Sequence, residues 1–218
     1  ATETSPIVSL NRMKPSLMDT LSEDERWNLK RFQGLVVVGV DVKITDPLGE
    51  LLPPGEENVG EIRLRGPWVT TSYADNVEAT EAGFDDEGYW RSGDLGYLSP
   101  EGYLKVTDRL KDVVKSGGEW ISSIDLENHI MTVPGVRDAA VIGVPHPQWE
   151  ERPLALVVRD EDSDVDQDAV LAALAERFAT WQLPDEVRFV TEIDRTGVGK
   201  VNKRKLRADY ADALTSGR

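Results

Sequence analysis

Between residues 36 and 106 the chain is a succession of short apolar runs punctuated by glycine and proline, and this rhythm limits the fold more than any other feature. Val36, Val38, Val40, Val42 and Ile44 alternate with Val37, Gly39, Asp41 and Lys43, the period of a strand with one buried face. Pro47-Leu48-Gly49 and Pro53-Pro54-Gly55 supply turns, and Gly60-Glu61-Ile62-Arg63-Leu64-Arg65-Gly66 is another short strand. Pro100-Glu101-Gly102 separates two strand-length runs, residues 95–98 and 103–106, which read as a hairpin. Strands this short and this closely spaced build a small barrel or sheet rather than a helical layer.

The second half of the chain mixes helical and strand periods. Ser122 followed by Asp125 is a helix start. Leu126, Ile130 and Val133 then share one helical face, closed by Pro134-Gly135. Residues 139–144 and 154–159 are apolar runs of strand length joined by residues 145–152, and 187–190 form a further short strand. Val170, Leu171, Leu174 and Phe178 make a helix stripe that stops at Gln182-Leu183-Pro184. The fold class expected is α+β. The acidic run at 160–166 lacks the glycine and terminal glutamate of a calcium loop and reads as a solvated linker. Residues 19–31 read as a surface loop or short helix, His129 as lying on the polar side of its helix, and His146 as a loop packing residue. Neither histidine has a companion for acid–base chemistry.

One stretch carries chemistry: Asp108-Arg109-Leu110-Lys111-Asp112-Val113-Val114-Lys115-Ser116-Gly117-Gly118-Glu119-Trp120. Arg109, Lys111 and Lys115 can converge on a polyanion, and two glycines let the backbone lie close to a narrow ligand. Two readings stay open for the run alone: a nucleotide site beside a tunnel, or a solvated basic turn between strands. Lys plus Arg number 25 against 40 for Asp plus Glu, a formal charge of -15, which disfavours nonspecific attraction to nucleic acid or an anionic membrane. The absence of cysteine removes a disulfide framework and a thiol nucleophile. No apolar run approaches the ~20 residues of a membrane span, and the first residues have neither the basic start nor the apolar stretch of a signal peptide. A cytoplasmic protein is expected.

Three blocks in order, Gly88-Tyr89-Trp90-Arg91-Ser92-Gly93-Asp94-Leu95-Gly96-Tyr97, the cationic run, and Gly197-Val198-Gly199-Lys200-Val201-Asn202-Lys203-Arg204-Lys205-Leu206-Arg207, resemble the adenylate-forming (AMP-forming) acyl-CoA synthetases. Gly118-Glu119-Trp120-Ile121-Ser122-Ser123, Pro147-Gln148-Trp149-Glu150-Glu151-Arg152-Pro153 and Trp181-Gln182-Leu183-Pro184 resemble the medium- to long-chain fatty-acyl-CoA ligase branch. The Ser/Thr/Gly-rich phosphate loop ending in Pro-Lys-Gly is not in these residues, so the chain looks like the carboxy-terminal portion of such an enzyme. The resemblance implies that residues 1–109 are the end of the large adenylate-binding domain, including a small β-barrel, and that 110–218 are a mobile α+β domain.

By the same resemblance, the nucleotide is bound by Thr2, Asp94, Arg109, Lys111, Lys115 and Trp120. Thr2 contacts the phosphate, Asp94 accepts from both ribose hydroxyls, and Arg109 also binds ribose. Ser92 stands where threonine is more usual and keeps the hydroxyl. Glu3 holds magnesium, Lys111 is the hinge, and Ser116, Gly117 and Gly118 line the pantetheine tunnel for CoA. Lys200 is catalytic, bridging the substrate carboxylate and the α-phosphate. Thr196-Gly197-Val198-Gly199 gives its loop flexibility, while Lys203, Lys205 and Arg207 read as a solvated helix face above buried Leu206, Tyr210 and Leu214. The implied reaction joins a fatty acid to CoA with cleavage of ATP, giving acyl-CoA, pyrophosphate and AMP. The partner implied is the remaining amino-terminal portion of the enzyme, and a homodimer is compatible with the sequence. Two alternatives stand beside it: a noncatalytic fragment or half-enzyme, and an adenylation domain loading a carrier protein.

Overall fold

The computed structural model describes residues 1–197 and 199–215. Val198, within the glycine-containing stretch before Lys200, lies outside the described residues. The chain divides into two compact units, Ala1–Leu110 and Lys111–Arg218.

The first unit is built on β1 (Ser9–Leu10), β2 (Gly34–Val36), β3 (Asp41–Thr45), β4 (Gly60–Arg65), β5 (Trp90–Leu98) and β6 (Tyr103–Arg109). They form one antiparallel sheet in the order β1-β2-β6-β5-β4-β3, a curled half-barrel with β1 and β3 as its two edges. Three short helices decorate it: α1 (Pro15–Met18), α2 (Glu23–Leu29) and α3 (Val77–Gly83). Ser22 and Glu25 close a capping box at the start of α2, so the charged segment expected as loop or short helix is a helix with a defined beginning. The apolar face of the sheet packs Val40, Ile44, Ile62, Leu64, Trp90 and Leu104 together.

The period-two run at 36–44 is not one strand. It breaks into β2 and β3 around a turn in which Gly39 holds φ at 96° and Val38 is 96% exposed. A left-handed φ costs a β-branched residue steric strain that glycine escapes. Alternation in the sequence therefore continued through a corner at which the chain changes direction.

In the second unit β7 (Val114–Ser116) and β8 (Glu119–Ile121) form a small hairpin, and β9 (Val136–His146) pairs antiparallel along the length of β10 (Glu150–Arg159). The segment expected to be a loop between them is mostly strand, because β9 runs to His146 and β10 resumes at Glu150. The last strand, β11 (Glu186–Phe189), lies parallel to β10, whose first residue pairs with Ser116 of β7. The helices are α4 (Ser123–Ile130), α5 (Gln167–Ala175) and α6 (Lys203–Asp209). Alternate residues of β9 and β10 enter different cores. Val141, Ala155 and Val157 pack with Leu126 and Ile130 of α4 and Val170 and Leu174 of α5. Ala140, Ile142, Leu154 and Leu156 pack with Leu206 of α6. A sheet covered on both faces explains why these strands read as continuous apolar runs.

Side-chain caps fix where the helices start. Ser122 Oγ accepts from the Asp125 amide at 3.1 Å, Asp166 Oδ1 from Ala169 at 2.9 Å, and Asn202 Oδ1 from Lys205 at 3.3 Å. The acidic segment is exposed at Glu161, Asp162, Asp164 and Asp166, as expected of a solvated linker, and its last residue caps α5. His129 faces α5, its Nε2 2.9 Å from the Ala173 carbonyl and its ring edge-on to Phe178, so it packs between helices instead of pointing to solvent. No helix among the described residues is long and apolar enough to cross a membrane.

Candidate functional site

In the first unit the site is made by an irregularity in the sheet. Glu61 pairs with Leu95 and Arg63 with Arg91, so Ser92, Gly93 and Asp94 together face Ile62 alone. The excess residues bulge outward, a device strands use to re-aim a side chain. Ser92 pins the bulge, its hydroxyl donating to the Ile62 carbonyl at 2.6 Å and accepting from the Asp94 amide at 3.0 Å. Gly93, with φ of 67°, makes the corner.

The bulge delivers Asp94 opposite Arg109 in the β5–β6 ladder, with Asp94 Oδ1 3.2 Å from Arg109 Nε. Burial raises the pKa of the Asp94 carboxyl above the ordinary value, and the Arg109 charge opposes this only in part. Ionised, Asp94 offers acceptor positions beyond the one engaged by Arg109. A cleft of about 360 Å³ opens beside it, lined by Asp94, Ser92, Trp90, Ile62, Ala1 and Thr4 among others. Thr2 and Glu3, in the 3-10 turn Thr2–Thr4, stand between two lining residues but are not themselves in the wall.

Glu3 is half-buried, with Oε1 3.4 Å from the Tyr73 hydroxyl, which in turn accepts from Trp90 Nε1 at 3.0 Å. Its carbonyl accepts from the Thr70 amide at 2.7 Å. Among the described residues no group of three or more metal-binding side chains occurs. A single carboxylate suits magnesium when phosphate oxygens and water supply the other ligands, and Glu3 fits that sparse donor set.

Across β3, β4 and the turn before β5 lies a charged network that the sequence reading did not single out. Arg63 is 6% exposed and is held by Glu61 at 3.0 Å and Asp85 at 3.1 Å, and Asp85 also meets Lys43 at 2.8 Å. Asp85 accepts from the Glu87 and Tyr89 amides, which fixes the turn leading into Trp90 and so into the bulge.

The second unit holds the remaining candidates in two places. Lys115 and Trp120 are direct cross-strand neighbours on β7 and β8, with Lys115 exposed and its amide donating to Glu151 Oε2 at 3.0 Å. Ser116 is buried, its hydroxyl accepting from Arg152 Nη1 at 3.0 Å. Gly117 and Gly118 both have positive φ, and the Gly117 amide donates to the Trp149 carbonyl at 2.9 Å while the Trp149 ring lies against it. Arg152 ties this corner together, reaching Asp185 at 2.7 Å and the Trp181 and Leu183 carbonyls at 2.6 and 2.9 Å. Nothing in the local pattern around Arg152 marks it as a hub, since its partners lie about 30 residues away on either side.

Lys200 and Lys111 belong to the second place. Lys200 is exposed at the base of a small loop: its carbonyl accepts from the Thr196 amide at 2.7 Å, and Arg195 bridges to Val201. Arg195 further donates to the Gly199 carbonyl at 3.0 Å and pairs with Asp138 at 2.6 Å. Lys111 is exposed, and its carbonyl and that of Asp112 accept from Arg207. Lys111 and the residues around Lys200, among them Thr196, Val201 and Asn202, line one cleft of about 430 Å³. The helix face expected to be solvated is only partly so. Lys205 is exposed, but Lys203 is 9% exposed and paired with Glu127, and Leu206 alone of the three apolar residues is fully buried. A long aliphatic stem lets lysine enter a core provided that its ammonium finds a partner.

Two family models match separate parts of the chain: AMP-binding enzyme over residues 1–74, and AMP-binding enzyme C-terminal domain over residues 125–200. The chain belongs to the AMP-binding enzyme family. Among the relatives of this family, the long-chain-fatty-acid–CoA ligase of Thermus thermophilus is 46% identical over 209 residues, covering 96% of this chain. The medium-chain-fatty-acid–CoA ligase of Ectopseudomonas oleovorans is 37% identical over 213 residues, covering 98% of this chain. The chain spans 38% of the length of each of these two ligases. Among solved structures, ATP-bound MatB from Rhodopseudomonas palustris matches with a TM-score of 0.76 and 37% identity, over 84% of this chain and 36% of that one.

Proposed function

We propose that the chain forms the ribose-binding and lysine-bearing parts of an AMP-forming fatty-acyl-CoA ligase. The observation that carries this reading is the Asp94–Arg109 pair, raised from the sheet by a bulge that Ser92 pins and set beside a cleft. A half-buried carboxylate with spare acceptor positions suits a vicinal diol, whose two hydroxyls donate to one carboxyl group. The names of the two ligase relatives support a fatty acid as the acyl substrate.

In the first half-reaction a carboxylate oxygen attacks the α-phosphorus of ATP, the bond to the β-phosphate oxygen breaks, and acyl-adenylate and pyrophosphate result. In the second, the thiol of CoA attacks the acyl carbon and AMP leaves. Lys200 neutralises charge between the substrate carboxylate and the α-phosphate in the first step. Thr2 donates to the phosphate, and Lys115 with Trp120 flanks the adenylate. Glu3 would hold magnesium, which would supply neutralisation of the triphosphate charge. Ser116, Gly117 and Gly118 border the path of the pantetheine arm, and Lys111 is the pivot between residues 1–109 and 110–218. The relatives' greater length supports a site completed by further polypeptide.

The test joins this chain to the amino-terminal part of the Thermus ligase and measures ATP–pyrophosphate exchange with a fatty acid, then product formation with CoA or with a carrier protein. Exchange by the fusion, none by the 218-residue chain alone, and a roughly 100-fold loss in Lys200→Ala are the expected results. Exchange by the chain alone would overturn the need for added polypeptide. A folded fusion without exchange, or one indifferent to Lys200→Ala, would sink the assignment of the site.

A further inference from the structure

Lys203 is buried two residues beyond Val201, where the loop carrying Lys200 ends. Its ammonium lies 2.7 Å from Glu127 Oε1 and donates to Ser123 Oγ at 2.6 Å, both on α4. Glu127 Oε1 also accepts from the Val141 amide of β9 at 2.8 Å, so the pair bonds the first turn of α6 to a helix and to the central hairpin at once. From there the backbone is fixed stepwise toward Lys200. Asn202 caps α6 and donates its amide to the Asp194 carbonyl at 2.9 Å, Val201 bridges to Arg195, and the Lys200 carbonyl takes the Thr196 amide.

We infer that Lys203 is a positioning residue for Lys200: its buried pair with Glu127 sets where α6 begins, and thereby the point from which the Lys200 side chain is presented. This rests on the role given to Lys200 above. An apolar side chain at position 203 could fill the same volume, but it would not specify one docking point as a single ammonium between a carboxylate and a hydroxyl does. A displacement of the loop base by about 1 Å is enough to reduce catalysis by roughly 10- to 100-fold.

The first test uses the 218-residue chain itself. Amide hydrogen exchange at Asn202 and Leu206 should accelerate by roughly ten-fold or more in Lys203→Met and stay near the parent rate in Lys203→Arg, while amides of β10 are unchanged in both. Unchanged protection at Asn202 and Leu206 in Lys203→Met would overturn the inference. Because Lys203→Met removes the ammonium that offsets the charge of the partly buried Glu127 carboxylate and can fail to fold, the double variant Lys203→Met with Glu127→Met is made alongside it.

The second test uses the fusion with the Thermus ligase. Lys203→Arg should retain adenylation. The double variant should stay folded, lose adenylation by roughly 10-fold or more, and still convert supplied acyl-adenylate to thioester. Full adenylation in the double variant, or an equal loss in both half-reactions, would reduce Lys203 to a structural residue. Lys200→Ala separates the two levels of the argument. If it leaves adenylation intact, the reading of Lys200 fails; if it abolishes adenylation while the folded double variant does not, only the positioning role fails.

Discussion

Replacing Asp85 by asparagine tests whether the charge network joining β3, β4 and the turn into β5 stabilises the sheet that carries Asp94. Asp85 Oδ2 meets Lys43 at 2.8 Å and Arg63 at 3.1 Å, and Oδ1 accepts from the Tyr89 amide at 2.9 Å. Burial alone would raise its pKa, but the Lys43 ammonium, the Tyr89 amide and Arg63 outweigh that cost and hold it at about 2 against an ordinary 3.8. That separation between folded and unfolded chains is worth about 2 kcal/mol at neutral pH. Because the folded value is the lower one, the stabilisation is complete above the unfolded pKa near 4 and disappears as the pH falls through about 2.

Asp85→Asn keeps the shape and removes the charge, while Lys43 retains Glu87 at 2.9 Å and Arg63 retains Glu61 at 3.0 Å. The loss should therefore be about 2 kcal/mol at about pH 7 and about 1 kcal/mol at about pH 3. Urea unfolding of the first unit, read by amide exchange in peptides from β4 and β5, measures both. An equal loss at the two pH values, or none at neutral pH, would show that the carboxylate charge is not what stabilises the network.

Other outcomes follow from the same geometry. Asp94→Asn should weaken AMP binding to the fusion by roughly 10- to 100-fold, the cost of losing charge-assisted hydrogen bonds, while leaving the stability of the chain unchanged or slightly higher, since ionising Asp94 in the fold is opposed by burial; isothermal titration and urea unfolding check the two halves. Because its folded pKa is raised, the ionised form to which the proposed function assigns ribose binding is lost on acidification sooner than for an ordinary aspartate, so AMP affinity should fall at a higher pH than in a site with an exposed carboxylate. Ser92→Ala removes the pin between Ile62 and the Asp94 amide and should raise KM for ATP by roughly ten-fold with kcat less affected, whereas Ser92→Thr restores it; steady-state kinetics in which the alanine variant matches the parent would remove Ser92 from this role.

The sequence by itself determined what depends on near neighbours. Ser122 with Asp125 announced a helix start, Pro100-Glu101-Gly102 announced a hairpin, and the motif around Asp94 was legible because its serine, glycine and aspartate act on one another within three residues. The tertiary structure decided what depends on distant ones. Lys203 resembled a solvated lysine until a partner 80 residues earlier in the chain buried it, and Arg152 gained its role from Ser116, 36 residues away. The alternation at 36–44 failed for a related reason. Period two reports which side of a strand each residue faces, not whether the strand continues, and at Gly39 the chain turned because the partners of β2 and β3 are far apart in the sheet, β2 lying between β1 and β6 and β3 at the far edge beside β4.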